Sequence, residues 1–195
     1  MLFPGCSTAP SKEVNYPERV SLYEKKSGEL ETTDRWALKG KLAVHDGEDG
    51  GSGHLDWQKS GQAISMSFYG ALGRGAWQLN ADENSAVLKM AAGEVYRAKT
   101  SGELVEQRIG WKIPVNALAW WVRGISAPGN WEMRELDEQG NLLKLSQKGW
   151  EIEYSRYRDS EGVSMPGKLT ARRPPYTVKL VVQHWSLQAE PDSDE

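Results

Sequence analysis

One cysteine in 195 residues excludes an intrachain disulfide, so no covalent cross-link holds this chain together. Histidine is nearly as scarce. His45, His54 and His184 have no cysteine beside them and form no His-Glu-x-x-His pair, which leaves zinc binding without a pattern. His45 and His54 flank a turn containing Asp46, Glu48 and Asp49, and a short acidic turn of this kind is a solvated one. No metal is expected. A Gly-x-Ser-x-Gly elbow and a phosphate-binding loop are missing, and Gly73 and Gly75 are followed by Gln78 where a dinucleotide-binding loop needs its third glycine. The sequence therefore offers no catalytic residue and requires no cofactor. Basic residues number 24 against 27 acidic ones, a formal net charge of -3, so no field of one sign invites nucleic acid. No run approaches the ~18 consecutive apolar residues of a spanning helix, so any membrane attachment rests on lipid or on surface contact.

What the chain has in quantity is tryptophan, nine residues against two phenylalanines. Each indole brings a large apolar area and one N–H that needs a partner. The length suits a single domain with a substantial core and no internal repeat. Residues 1–16 read as a tether, 17–188 as the domain, and 189–195 as a disordered acidic tail.

The hydrophobic period places the elements. Pro17 sits like a first helical residue, and Val20, Tyr23 and Leu30 give a weak helical stripe. The period then changes to two. "WALKGKLAV" puts Trp36, Leu38, Leu42 and Val44 on one face, "DGEDGGSG" reads as a turn, and Leu55, Trp57, Ile64, Met66 and Phe68 continue the alternation. "AWQLN", "AVLKM" and "EVYRA" add further antiparallel strands. Thr100 and Glu103 fit a capping box before Leu104, Val105 and Ile109, and Pro114 to Gly124 frames a second helix carrying Val115, Leu118, Ala119 and Val122. Beyond it, "WEMREL", "LLKLSQ", "WEIEY", "KLTAR" and "YTVKLVVQHW" read as strands, with "RDSEG" among the connections. The expectation is a mainly β fold with a few helices. A sheet this long must curl or close.

Curling gives the sheet an interior larger than so few helices can fill, which predicts a hydrophobic cavity under a helical lid. Its candidate lining is Trp36, Leu38, Leu42, Trp57, Ile64, Met66, Phe68, Trp77, Leu118, Trp121, Trp150 and Tyr154. For any one of these residues the plainer expectation is an ordinary packed core. Two features stand outside the sheet. Cys6, in "MLFPGCSTAP", follows a small residue and precedes a polar stretch, like the acylation site of a bacterial lipoprotein. Five residues precede it, fewer than the ~7–15 of a secretory apolar region. It reads either as an acylated cysteine behind a shortened leader or as an isolated cysteine in a frayed terminus. Leu72, in "GALGRG", places an apolar side chain at the tip of a glycine-rich turn.

Taken in order, "RWALKGKLAV", "LDWQ", "GALGRG", "IGWKIPVNALAWWVRG", "GWEIEYSRY", "MPGKLT" and "VKLVVQHWSL" resemble the bacterial outer-membrane lipoprotein receptor family LolB, from about Trp36 to Leu187. The resemblance implies an open, curved antiparallel half-barrel with a helical lid and no enzymatic activity. It implies a lipid anchor on Cys6 and a monomer. It also implies a cavity that takes acylated lipoproteins from the periplasmic carrier LolA and delivers them into the outer membrane, where Leu72 would meet lipid. Ser7, next to the cysteine, is compatible with outer-membrane sorting. Physics favours such a carrier. At ~0.8 kcal/mol per methylene, several acyl chains exceed the roughly 18–21 kcal/mol at which non-covalent affinity saturates, so cargo must pass directly from one apolar cavity to the next. The alternative is a lipocalin-like carrier of a small hydrophobic ligand, which would share the cavity without needing Leu72 or a partner.

Overall fold

The computed structural model describes residues 12–13, 16–70 and 75–187. The chain runs β1 (Lys12–Glu13), α1 (Pro17–Glu31), β2 (Arg35–His45), β3 (Gly50–Ser60), β4 (Ala63–Gly70), β5 (Trp77–Ala81), β6 (Ala86–Met90) and β7 (Val95–Ala98). The helical segment follows, with α2 (Ser101–Leu104), a π-helical turn (Val105–Ile109) and α3 (Val115–Trp121). The second half is β8 (Met133–Leu136), β9 (Leu142–Gln147), β10 (Trp150–Ser155), β11 (Arg158–Ser160), β12 (Val163–Met165), β13 (Lys168–Arg173) and β14 (Tyr176–Ser186).

Twelve strands form one sheet in the order β1-β8-β9-β10-β13-β14-β2-β3-β4-β5-β6-β7, while β11 and β12 pair separately. Among the described residues, only the β1–β8 pairing is parallel. The two edges, β1 and β7, do not meet, so the sheet is open, as expected for a curled half-barrel. Period-two burial runs through its strands: Trp36, Leu38, Leu42 and Val44 are buried on β2, Leu55 and Trp57 on β3, and Trp150, Ile152 and Tyr154 on β10. Register carries that face across the sheet. Trp185, Leu38, Trp57, Met66, Leu79 and Leu88 stand in one cross-strand row.

Helix α1 starts at Pro17, whose missing N–H costs nothing in a first turn. It buries Tyr23, Ser27 and Leu30. Lys26 Nζ donates to Asn141 Oδ1 at 2.8 Å, and burial lowers its pKa to about 8, with Asp137 partly opposing the shift. The capping box forms with a shift of one residue. Thr100 Oγ1 accepts from Glu103 N, whereas the Glu103 carboxylate takes the N–H of Lys99 and not that of Thr100. The helix expected through Ile109 widens after one turn into the π-helical turn, which Gly110 ends at φ 83°.

Three sequence expectations need correction. Residues 12–13 lie within the stretch read as tether but extend the sheet as β1. "RDSEG" is not a plain connection, because Arg158–Ser160 pairs with Val163–Met165 in a small hairpin. Most instructively, the "DGEDGGSG" turn is shorter than expected. Asp46 Oδ1 caps a tight turn by accepting from Glu48 N and Asp49 N, and Gly50 to Gly53 already pair with β2. Gly53 is required for the approach of β4, since a Cβ there would lie 2.3 Å from the Tyr69 carbonyl oxygen and 2.8 Å from Phe68 Cζ. Cys6, Leu72 and the acidic tail lie outside the described residues.

The glycine run yields a stability prediction. Gly53→Ala forces β3 and β4 apart and lowers the unfolding free energy by ~1–3 kcal/mol. At Gly51→Ala the new Cβ meets Trp111 Cζ2 at an ordinary 3.7 Å, and the change stays within ~0.5 kcal/mol. Urea midpoints compare the two, and equal midpoints contradict the packing described.

Candidate functional site

The apolar face of the sheet is covered by the segment from Ser101 to Gly124. Val105, Trp111, Ile113, Val115 and Leu118 come down onto Leu42, Leu55, Trp57, Met66, Trp77, Val178 and Leu180, and between the two layers about 10 Å³ of free space remains. One water molecule would barely fit. The predicted lid over a hydrophobic interior is present, but the expectation that the helices leave much of the interior unfilled is not met. Aromatic rings account for the difference. Trp111 stands edge-on to Phe68 at 5.4 Å and to Trp77 at 5.9 Å, while Phe68 and Trp77 stack at 5.6 Å.

Of the predicted lining residues, Leu42, Trp57, Met66, Trp77 and Leu118 border this void. Trp36 and Leu38 are buried beside it, with Trp36 edge-on to Trp57 at 5.3 Å. Phe68 is buried within the ring cluster. Trp121, Trp150 and Tyr154 belong to the other half of the core, where Trp121 and Trp150 pack at 6.2 Å. Burial pushes the Tyr154 phenol well up, and Tyr157 and Tyr23 add to the shift. Ile64 shares the inward face but is only half-buried at its margin, so it does not border the void. The sequence reading missed Trp111 and Ile113 because "GWKIP" has neither a helical nor a strand period. Gly110, with its positive φ, is the signal that turns that segment onto the sheet.

The lid is fastened unevenly. At its C-terminal end, Trp121 Nε1 donates to Gln147 Oε1 at 2.9 Å, and the same oxygen accepts from Ala127 N. Gln147 Nε2 donates in turn to the carbonyls of Ala127 and Asn130. Gln147 is fully buried, and three of the four bonds operate away from water, the one to exposed Asn130 being part-buried. Arg123, also buried, donates to the carbonyl oxygens of Ala119 and Leu30 and lies over the rings of Trp120 and Trp36. Burial lowers its pKa to about 10, with Glu31 opposing the shift. Tyr23 completes the fastening by donating to Ser126 Oγ and accepting from Ser126 N. The N-terminal end is held differently. Among the described residues, no hydrogen bond joins residues 105–114 to the sheet. Ring contacts and the Arg108 guanidinium over Tyr96 hold it instead. Aromatic pairs contribute ~0.5–1.5 kcal/mol each beyond area burial, and this end can leave the sheet without breaking a hydrogen bond to it.

Comparison with known proteins agrees with this architecture. The family model for outer membrane lipoprotein LolB matches residues 34–185. The chain is 30% identical over 186 residues to an outer-membrane lipoprotein LolB of Stutzerimonas stutzeri, covering 95% of this chain and 90% of the relative. It is 33% identical over 185 residues to that of Pseudomonas paraeruginosa, covering 94% and 90%. A solved domain from Vibrio parahaemolyticus, described as a putative outer membrane lipoprotein-sorting protein, superposes with a TM-score of 0.56 at 10% identity, over 89% of this chain and 94% of that one. A LolA superfamily protein from Nitrosomonas europaea gives 0.53 at 8% identity, over 91% and 96%. At such identities these two speak for the fold.

The uneven fastening is testable by denaturation. Gln147→Leu strips partners from Trp121 Nε1 and from both backbone groups of Ala127, and lowers stability by ~2–4 kcal/mol. Arg108→Ala, at the loose end, costs under ~1 kcal/mol. Comparable losses for both variants would show that the lid is held equally along its length.

Proposed function

The chain belongs to the LolB family of outer-membrane lipoproteins, and from that premise we propose that the interior beneath the lid receives the acyl chains of lipoproteins handed over by a LolA-type periplasmic carrier. The protein acts in lipoprotein sorting as a receptor at the outer membrane, into which it passes its cargo. The observation that carries the reading is an apolar face covered by a segment pinned by buried hydrogen bonds at its C-terminal end, while, among the described residues, residues 105–114 make none to the sheet. Lifting the loose end exposes rings and aliphatic side chains to hydrocarbon. An acyl chain of about 15 methylenes represents ~12 kcal/mol of transfer free energy, which offsets the apolar burial and ring contacts that the lid gives up as it lifts.

The domain from residue 17 to residue 188, with β1 added at one edge of its sheet, carries out the exchange as a monomer. Cys6 is the lipid-anchor site that holds it at the periplasmic face, and Leu72 is the side chain that meets the bilayer during release. Trp36, Leu38, Leu42, Trp57, Ile64, Met66, Phe68, Trp77, Leu118, Trp121, Trp150 and Tyr154 supply the interior and its walls. Transfer down a gradient of affinity needs no covalent step, no cofactor and no nucleotide, so we assign the protein no enzymatic activity.

The test mixes the purified protein with lipoprotein-loaded LolA-type carrier and lipid vesicles, without ATP. Cargo is expected to leave the carrier and then enter the vesicles. Leu72→Glu is expected to take cargo normally and to slow its release at least tenfold, since burying one leucine side chain contributes ~1.5–3 kcal/mol. Cargo that stays on the carrier while a fluorescent fatty-acyl probe still binds would instead identify a small-ligand carrier.

A further inference from the structure

The described core buries six indoles, and the fold treats them unequally. Trp121 Nε1 donates to Gln147 and Trp185 Nε1 to the Pro166 carbonyl at 3.0 Å. Those two are structural, and each has an acceptor built for it. The N–H groups of Trp36, Trp57, Trp77 and Trp150 are buried with no acceptor. An indole nitrogen can only donate, and a buried donor without a partner carries an uncompensated desolvation cost. Native cores keep such groups few.

Two of the four, Trp57 and Trp77, border the void beneath the lid. Trp57 faces Met66 across the β3–β4 pair, and Phe68, two residues on, faces Trp77 across β4–β5. Both indoles therefore stand on one face of the sheet, in adjacent cross-strand rows. No side chain bordering the void carries an oxygen acceptor, so no lining side chain can satisfy them with a strong bond. Trp111 of the lid covers Trp77 with a ring, at best a weak substitute.

Resting on the receptor reading above, we propose that Trp57 and Trp77 are a donor pair for the carbonyl oxygens of long-chain acyl esters. An ester linkage suits the site because it brings acceptors and no donor on a long hydrocarbon. A free fatty acid would have to bury a carboxylate or surrender its charge, and an alcohol would bring a hydroxyl donor beside two others. The interior thus distinguishes an acyl ester from hydrocarbon of the same length, which an all-aliphatic lining cannot do.

The experiment uses the full chain and two fluorescent probes of equal chain length, a dipalmitoylglycerol ester and the corresponding dihexadecylglycerol ether. 3-Benzothienylalanine placed at positions 57 and 77 keeps the shape of indole and replaces N–H by sulfur. The native protein is expected to bind the ester about tenfold more tightly than the ether. In the doubly substituted protein that preference falls below about twofold, the ether affinity holds, and the melting temperature does not fall, because the empty protein loses no hydrogen bond. Equal binding of both probes by the native protein, or a preference surviving the double substitution, would overturn the donor pair while leaving the cavity reading intact. Binding of neither probe would overturn both.

Discussion

An open sheet with one apolar face cannot leave that face in water, and the rest of this structure follows from how the face is covered. Adjacent strands from β14 through β2 to β6 present Trp, Leu and Met side chains in a continuous cross-strand row, with Leu55, Phe68 and Trp77 in the next. Exposing them would forfeit ~25 cal/mol for every Å² of apolar surface. The cover is a segment of about two dozen residues with little regular helix, and it succeeds because Trp111 and its ring partners supply area that helix length does not. A cover of rings and aliphatic side chains is chemically close to an acyl chain. The lid and a lipid are alternative solutions to one desolvation problem.

Polar bonds decide which part of the cover stays. Gln147 and Arg123 fix the C-terminal end through buried hydrogen bonds, and Arg123 accepts the cost of losing water, visible in a pKa lowered to about 10. Such groups are expensive to expose singly and expensive to leave unpaired, so that end behaves as a pivot. The segment from Val105 to Pro114 lacks comparable bonds among the described residues and can exchange its contacts for others of the same kind. The π-helical turn and Gly110 lie where such a flap would bend.

Period-two alternation made most of the sheet legible in the sequence, and Pro17, Pro114, Gly110 and Gly124 marked the helical ends. The misreadings have specific causes. Gly50 to Gly53 look like a turn because glycine usually marks one, whereas here Gly53 is dictated by Phe68 and Tyr69 on the neighbouring strand, a contact no local pattern encodes. The β11–β12 hairpin is three residues wide on each side, too short to show a period. At the site, alternation found the floor at Trp57, Met66 and Trp77 but could not reveal the closed roof, because Trp111 and Ile113 lie on an irregular, tightly turned segment whose path depends on the fold around it. Gln147, four bonds deep in the core, reads in sequence as an unremarkable polar residue at the end of a strand.

Hydrogen exchange across residues 101–124, measured with the interior empty and then filled by an acylated ligand, probes the interchange of lid and lipid directly. Amides from Val105 to Val115 should exchange faster in the loaded protein as the flap leaves the sheet, while those from Trp121 to Ala127, held around Gln147, should keep their protection. An identical exchange pattern in the loaded and empty proteins, with ligand demonstrably bound, would mean that the lid is a permanent part of the core and that the lipid sits elsewhere.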